Sequence, residues 1–316
     1  MTMAELSQTS RTSSKKILAH LGALLIMSAW GTSFLSTKIL MVDGGLSPAE
    51  MYIYRFGFAY LLLLLCTFKR IFSNNWKDEL QFAVCGICAG SLYFVTENYA
   101  LRLTTAGNVS LLASTSPLFT TILIATVYRT KIKSGAIMGS LIAFAGVTCI
   151  IFSNGKGFEI RPTGDLLALS ASFSWAIYTM VIKNLNPFYN SMFITRKLFF
   201  YGVLSALPLL MIQDVPLRLH IIFDFNNPSF GLNFLFLVVG CSVLAYLIWN
   251  ETMKILGPVT ANNYLYLQPL VTMISAYFVL GENIYFMGYL GCILIVGGLI
   301  ISDKVTTIGF RNRRTH

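Results

Sequence analysis

The chain has 316 residues, of which 55% are hydrophobic and only 11% charged, and it carries a net charge of +10. Soluble domains hold roughly 25% charged residues, so this composition, with a mean hydropathy of +0.68, excludes a water-facing globular surface and indicates a polytopic membrane protein. The basic excess sits between apolar runs, where it reports orientation in a bilayer rather than affinity for nucleic acid.

Residues 1–16 are polar and end in Lys15 and Lys16. The apolar run behind them is too long for a signal-peptide core, so it reads as an uncleaved first span after a cytoplasmic tail. A membrane helix needs about 20 largely apolar residues. Ten such runs follow one another: 17–40, 47–68, 79–101, 104–127, 134–153, 164–184, 190–212, 230–255, 259–280 and 284–302. Residues 154–163 form an external link containing Gly and Pro. Residues 213–229 form a longer loop with Asp214, Arg218, His220 and Asp224, and 303–316 a basic tail. With the N-terminus inside, the internal segments hold fifteen lysines and arginines, the external ones only Lys38, Arg102, Lys156, Arg161 and Arg218. The positive-inside rule then places both termini in the cytoplasm. No P-loop sequence is present, which argues against ATP-driven transport by this chain alone. The six cysteines lie in or beside apolar runs. Cys85 and Cys88 have no second pair to complete a metal site, and all six read as small packing residues.

The stretch from Asn250 to Ser302 repeats, without a gap and 152 positions on, the stretch beginning at Asn98: Pro269 falls on Pro117, Gly291 on Gly139 and Gly298 on Gly146. Earlier in each copy Trp30 pairs with Trp175 and Lys38 with Lys183, at a shift of 145. Each copy holds five spans, and five is odd, so the second copy enters the bilayer inverted. The expectation is an all-α membrane protein of ten transmembrane helices in two inverted five-helix repeats, 17–153 and 164–302. Secondary transporters use this architecture, with the substrate at the repeat interface near the midplane.

Tyr54-Arg55-Phe56, Asn98-Tyr99-Ala100-Leu101 and the Ser-rich run into Pro117 resemble the EamA family of the drug/metabolite transporter superfamily. So do Gly257-Pro258-Val259-Thr260-Ala261, Gln268-Pro269-Leu270 and Leu280-Gly281-Glu282. The resemblance runs from about residue 20 to residue 302 and implies a plasma-membrane exporter or permease of small metabolites such as amino acids. One departure is Arg129-Thr130, which stands where the family usually has Gly-Glu after the fourth span.

A charge at the bilayer centre costs about 2.5–3.5 kcal/mol on insertion scales, so each calls for a partner or a wet cavity. Arg55 lies well inside its span, and Arg196 and Lys197 take the corresponding part of the seventh. They face the cavity to hold a carboxylate or compensate Glu97, or else they bond to backbone carbonyls. Glu97, with Tyr93 one turn earlier, fits a proton-coupling carboxylate or a structural ion pair. Asn98 and Asn250 are a duplicated pair. Ser110, Ser114 and Pro117 share one helical face, as do their counterparts Asn262, Tyr266 and Pro269, with Gln268 extending the polar surface. These residues line the substrate path, with the two prolines permitting bending, or they bond helix to helix. Trp30, Trp175 and Tyr178 fit an aromatic lining for the substrate or plain packing. The glycines repeated at seven-residue spacing read as packing notches on a pairing or homodimer face.

The class favoured is a secondary-active transporter, with a small-molecule substrate, the lipid bilayer and protons as partners, no cofactor and no metal. A lipid or lipid-linked flippase is the alternative, and a lateral opening lined by cations would distinguish it. An intramembrane enzyme fits poorly: His20, His220 and His316 lie at span ends, loops or the tail, and no residue is assigned a catalytic role.

Overall fold

The computed structural model describes residues 3–104, 106–131, 134–152, 161–213, 217–224, 227–280 and 285–311. Side chains are described from 14 to 302 within these ranges, except at 34, 35, 38, 101, 106, 107, 211–213, 276, 279 and 280. Most of the link 154–163, Asp214, the Gly281-Glu282 pair and the side chains of residues 1–13 and 303–316, of Lys38 and of Lys133 therefore lie outside the described residues.

Every regular element among the described residues is a helix: α1 Met3–Lys38, α2 Pro48–Thr67, α3 Trp76–Gly86, α4 Leu92–Leu103, α5 Ala106–Ala113, α6 Ser116–Val127 and α7 Ser134–Ile151 make up the first half. The second half holds α8 Pro162–Leu185, α9 Ser191–Gln213, α10 Pro228–Leu235, α11 Ala245–Leu256, α12 Pro258–Asn263, α13 Leu267–Leu280 and α14 Phe286–Arg311. Starts are chemically marked. Ser47 and Glu50 form a capping box ahead of α2, satisfying orphan backbone donors, and Pro48, Pro162, Pro228 and Pro258 sit in the first turns of their helices. Gly257, at φ +84, makes the sharp turn between α11 and α12 that a Cβ would oppose. Arg129 adopts φ +49, the left-handed backbone that suits the glycine usual at that place in the family.

Among the described residues, seven stretches are long and apolar enough to cross a membrane: Pro48–Thr67, Trp76–Ala100, Asn108–Val127, Ser134–Ile151, Pro162–Leu185, Ser191–Leu210 and Pro228–Leu256, with Phe286–Ser302 as a shorter apolar helix. The expected first span, 17–40, covers the second half of α1 and enters a π-helical turn, Ile39–Asp43. The expected ninth is not one continuous helix, because a 3-10 turn, Tyr264–Tyr266, separates α12 from α13.

The two halves meet reciprocally. A Cβ on Gly139 would lie 2.5 Å from the Gly298 carbonyl, and one on Gly291 would lie 2.6 Å from the Gly146 carbonyl. Gly139 is equivalent to Gly291 and Gly146 to Gly298, so each position meets the other's counterpart, the signature of a two-fold relation. The order along the helices reverses, so α7 and α14 run antiparallel and the axis crosses the bundle. The glycine notches expected on a pairing or homodimer face pair two helices within one chain.

Irregularities repeat as well. A π-helical stretch, Ile87–Ser91, joins α3 to α4, and another, Phe236–Leu244, joins α10 to α11; the shift of 152 maps one into the other. Such turns loosen the backbone ladder, and in lipid every freed carbonyl needs a partner. Trp30 Nε1 donates to Cys241 O at 2.9 Å, and Ser174 Oγ donates to Cys88 O. In each case the first helix of one repeat bonds the π stretch of the other. At the break between α5 and α6, Ala113 O accepts from Ser172 Oγ at 3.2 Å. Ala113 lies four residues before Pro117, which has no N–H to bond it.

The end of the bundle where α1 begins, here the near end, gathers the α2–α3 and α8–α9 turns, joined by Tyr189 and Asp78. The far end is tied by Arg218 to Glu50 (Nη2–Oε2 3.0 Å) and by Thr104 to Asp165.

Candidate functional site

Six aromatic side chains close a ring in the middle of the molecule. Going round, Trp30 (α1) meets Tyr246 (α11) at 5.5 Å between centroids, Tyr246 meets Phe56 (α2) at 6.1 Å, and Phe56 meets Phe94 (α4) at 5.5 Å. Phe94 meets Tyr93 at 5.3 Å, Tyr93 meets Trp175 (α8) at 5.6 Å, and Trp175 returns to Trp30 at 6.0 Å. Most of these pairs meet edge to face, the arrangement ring quadrupoles favour. Five helices from both repeats contribute. Trp30 and Trp175 are one equivalent pair; Phe94 and Tyr246, 152 positions apart, are another.

Two opposite charges hang on this ring without pairing to each other. The Arg55 guanidinium carbon lies 5.0 Å from the Phe56 centroid, and its Nε donates to Ser242 Oγ at 2.8 Å. Ser242 sits in the second π stretch and donates in turn to Leu237 O at 2.9 Å. The two outer nitrogens of Arg55 make no hydrogen bond to the described residues. Glu97 accepts from Tyr93 OH at 2.9 Å through Oε1, and none of the ion pairs among the described residues includes it. A half-buried guanidinium with its fork unfilled and a carboxylate with a free oxygen are costly in an apolar interior, unless water or a guest completes them.

Tyr178 joins the cluster, 5.1 Å from Trp175, and is fully buried. Its hydroxyl donates to Asn250 Oδ1 at 3.4 Å, while Asn250 Nδ2 donates to Thr195 Oγ1 at 2.9 Å. Asn262 accepts from Trp175 Nε1 at 3.0 Å and donates to Thr120 Oγ1 at 2.7 Å, so it fastens the tryptophan from behind. Ser114 donates back to Ser110 O at 2.8 Å. Tyr266 is fully buried with its hydroxyl unsatisfied, Gln268 is half-buried, and Pro117 and Pro269 follow the breaks in their helices. Within the stripe Asn262 bonds helix to helix, whereas Ser114 bonds its own helix and the Tyr266 hydroxyl makes no hydrogen bond.

Arg196 sits elsewhere. It is buried at the near end, where its guanidinium donates to Thr67 O, Arg70 O and Ile71 O, supplying partners for carbonyls left over where α2 ends. Lys197 pairs with Glu79. Nor is Arg196 the counterpart of Arg55. Arg55 bonds the π stretch at Ser242, whose equivalent is Gly90, and Gly90 packs on Gly202.

Asn98 lines a separate pocket at the far end, together with Tyr52, Phe94 and Arg102. An outward-facing groove between α4, α6 and α8 is lined by Leu92, Phe119, Leu169, Phe173 and Ile177 with only Ser170 and Ser174 polar. Phe56, Phe94, Tyr246 and Ser242 were not among the residues expected from sequence. Phe94 and Tyr246 were findable as a duplicated aromatic pair, and Phe56 as the neighbour of Arg55.

Known proteins place this architecture. An "Uncharacterized transporter" of Archaeoglobus fulgidus is 27% identical over 90% of this chain and 96% of its own length. A "Probable amino-acid metabolite efflux pump" of Salmonella typhimurium is 26% identical over 93% of this chain and 96% of its own. A solved crystal structure superposes with a TM-score of 0.73 at 18% identity, covering 93% of this chain and 97% of that one, which establishes a shared fold. The EamA-like transporter family matches residues 17–152 and 162–302, one match to each repeat, and the chain belongs to that family of multi-pass membrane transporters.

Proposed function

We propose that this transporter is secondary-active and exports small carboxylate-bearing metabolites with an apolar body, amino acids among them, across the plasma membrane. In this reading ten spans place both termini in the cytoplasm, as the distribution of Lys and Arg favours, and the repeats rock about their two-fold axis to expose one site alternately to either side. One observation carries the reading: the unfilled fork of Arg55 beside a closed aromatic ring built by both repeats. A guanidinium presents two parallel N–H donors that match a carboxylate, and ring faces take the apolar body or an ammonium group. Glu97, the free carboxylate on the same ring, receives the ammonium of a zwitterion or a proton on the return step. The name of the Salmonella relative supports the substrate class. The flippase alternative calls for cations at a lateral opening, and the groove between α4, α6 and α8 has an apolar lining.

The test is counterflow of labelled L-phenylalanine, alongside a mixed metabolite pool, in proteoliposomes. Removing a charged partner from a buried recognition site typically costs about 2–5 kcal/mol, so Arg55→Ala is expected to cut uptake about 30-fold or more while the chain stays folded. Uptake equal to wild type in that variant would overturn the assignment of Arg55.

A further inference from the structure

The pocket at the far end is walled by Ala49 and Tyr52 of α2, Phe94, Asn98 and Arg102 of α4, and Leu209 of α9. Its polar residues have equivalents in the second repeat: Asn98 corresponds to Asn250 and Arg102 to Lys254, both at the shift of 152. There the same chemistry is consumed by protein. Asn250 bonds Thr195 and Tyr178, and Lys254 Nζ donates to Ser191 Oγ at 3.0 Å and Tyr189 O at 3.1 Å. Here, among the described residues, Asn98 makes no hydrogen bond and Arg102 contacts only the face of Tyr99, at 5.8 Å. An amide and a guanidinium, bound to protein in one repeat, stand open in the other beside an apolar floor. Phe94 belongs both to this pocket and to the central ring, so the two adjoin.

We propose that this pocket is a second substrate site, a vestibule that holds the carboxylate of an amphipathic metabolite between Asn98 and Arg102 and its apolar body on Tyr52 and Phe94. It rests on the reading of the chain as a carrier of such metabolites and adds a staging position on the far side of Phe94 from Arg55. Asn donates through its amide while Arg supplies a paired fork, so the site selects an acid over its amide. Neither side chain holds another helix in place, so replacing both leaves the fold intact.

Equilibrium dialysis of labelled L-phenylalanine against the purified full chain in nanodiscs tests this directly. Wild type is expected to bind two molecules per chain, and Asn98→Ala with Arg102→Ala one, with the remaining affinity changed by less than about twofold. Arg55→Ala is also expected to bind one, and the triple variant none. L-Phenylalaninamide is expected to bind the vestibule at least about tenfold more weakly, the ratio of one lost charge-assisted bond. One molecule or none per chain in wild type, or two in the Asn98/Arg102 variant, overturns the vestibule. If instead two molecules bind and one is lost with Asn98 and Arg102 while counterflow is absent, the vestibule stands and the transport reading falls.

Discussion

The near-end junction of α9 with α11 and the far-end junction of α2 with α4 are the same place in two copies of one repeat, yet one is shut and the other open. At the near end Asn250, Lys254 and Glu251 reach across to Thr195, Ser191 and Tyr189. At the far end the equivalent Asn98 and Arg102 face a pocket. A strictly two-fold chain would open or close both ends together. The asymmetry therefore lies in how two nearly equivalent halves are posed, and under the alternating access proposed above it corresponds to one of the two poses. What stays symmetric is the frame, meaning the α7–α14 glycine contact and the bonds from first helices to π stretches.

The largest effect is expected from breaking that frame. A side chain at Gly298 would begin 2.5 Å from the Gly139 carbonyl and 2.6 Å from the Ala143 nitrogen, both backbone atoms that cannot rotate away. Overpacking costs about 1–3 kcal/mol and occasionally more. Gly298→Leu is therefore expected to lower the thermal midpoint and folded yield before any question of opening arises. An unchanged midpoint would mean that α7 and α14 do not set the spacing of the halves. Next in size is Asn250→Ala, which strands the fully buried Tyr178 hydroxyl and removes a bond to Thr195. Interhelical bonds in membranes average about 0.6 kcal/mol and reach about 1.7, so a loss of about 1–2 kcal/mol is expected in thermal or denaturant unfolding. Asn98→Ala, with nothing to lose, is expected to stay within about 0.5 kcal/mol. Equal losses at the two positions would erase the contrast between them.

Much of the frame was legible in the sequence because duplication leaves a register. Pro117 and Pro269, the glycine pairs and the two tryptophans all stand at constant shifts, and in the fold the glycines meet one another's counterparts while the tryptophans meet each other. The site was legible only in part. Arg55, Trp30, Trp175 and Glu97 are brought to one ring, but Arg196 is not, because depth within its own helix says nothing of where a neighbouring helix ends. The carbonyls that occupy Arg196 belong to residues 67, 70 and 71, distant in sequence and polar only because α2 stops there. The stripe of Asn262, Ser114 and Tyr266 was ambiguous for a related reason: the same residue types line a wet path or bond two helices. Only tertiary structure reveals that Asn262 is bonded to both Trp175 and Thr120.

The smallest effect on stability, and the one that separates a clasp from a conduit, is expected at Lys254. Its Nζ lies 3.2 Å from Glu251, whose side chain is 55% exposed, and such water-screened pairs contribute about 0–1 kcal/mol. A carrier needs its shut end to be weakly shut, since an interaction of several kcal/mol released on every cycle would add to the barrier for opening. Lys254→Met is therefore expected to change unfolding stability by less than about 1 kcal/mol. Easier opening of the near end would raise the counterflow rate by up to about fivefold, the factor that 1 kcal/mol represents. Arg102→Met, at the equivalent open position, is expected to leave stability unchanged and to weaken substrate capture at the far end. A fall in rate for Lys254→Met at unchanged stability would move Lys254 from the clasp into the substrate path, and the two junctions would then differ in chemistry and not in pose.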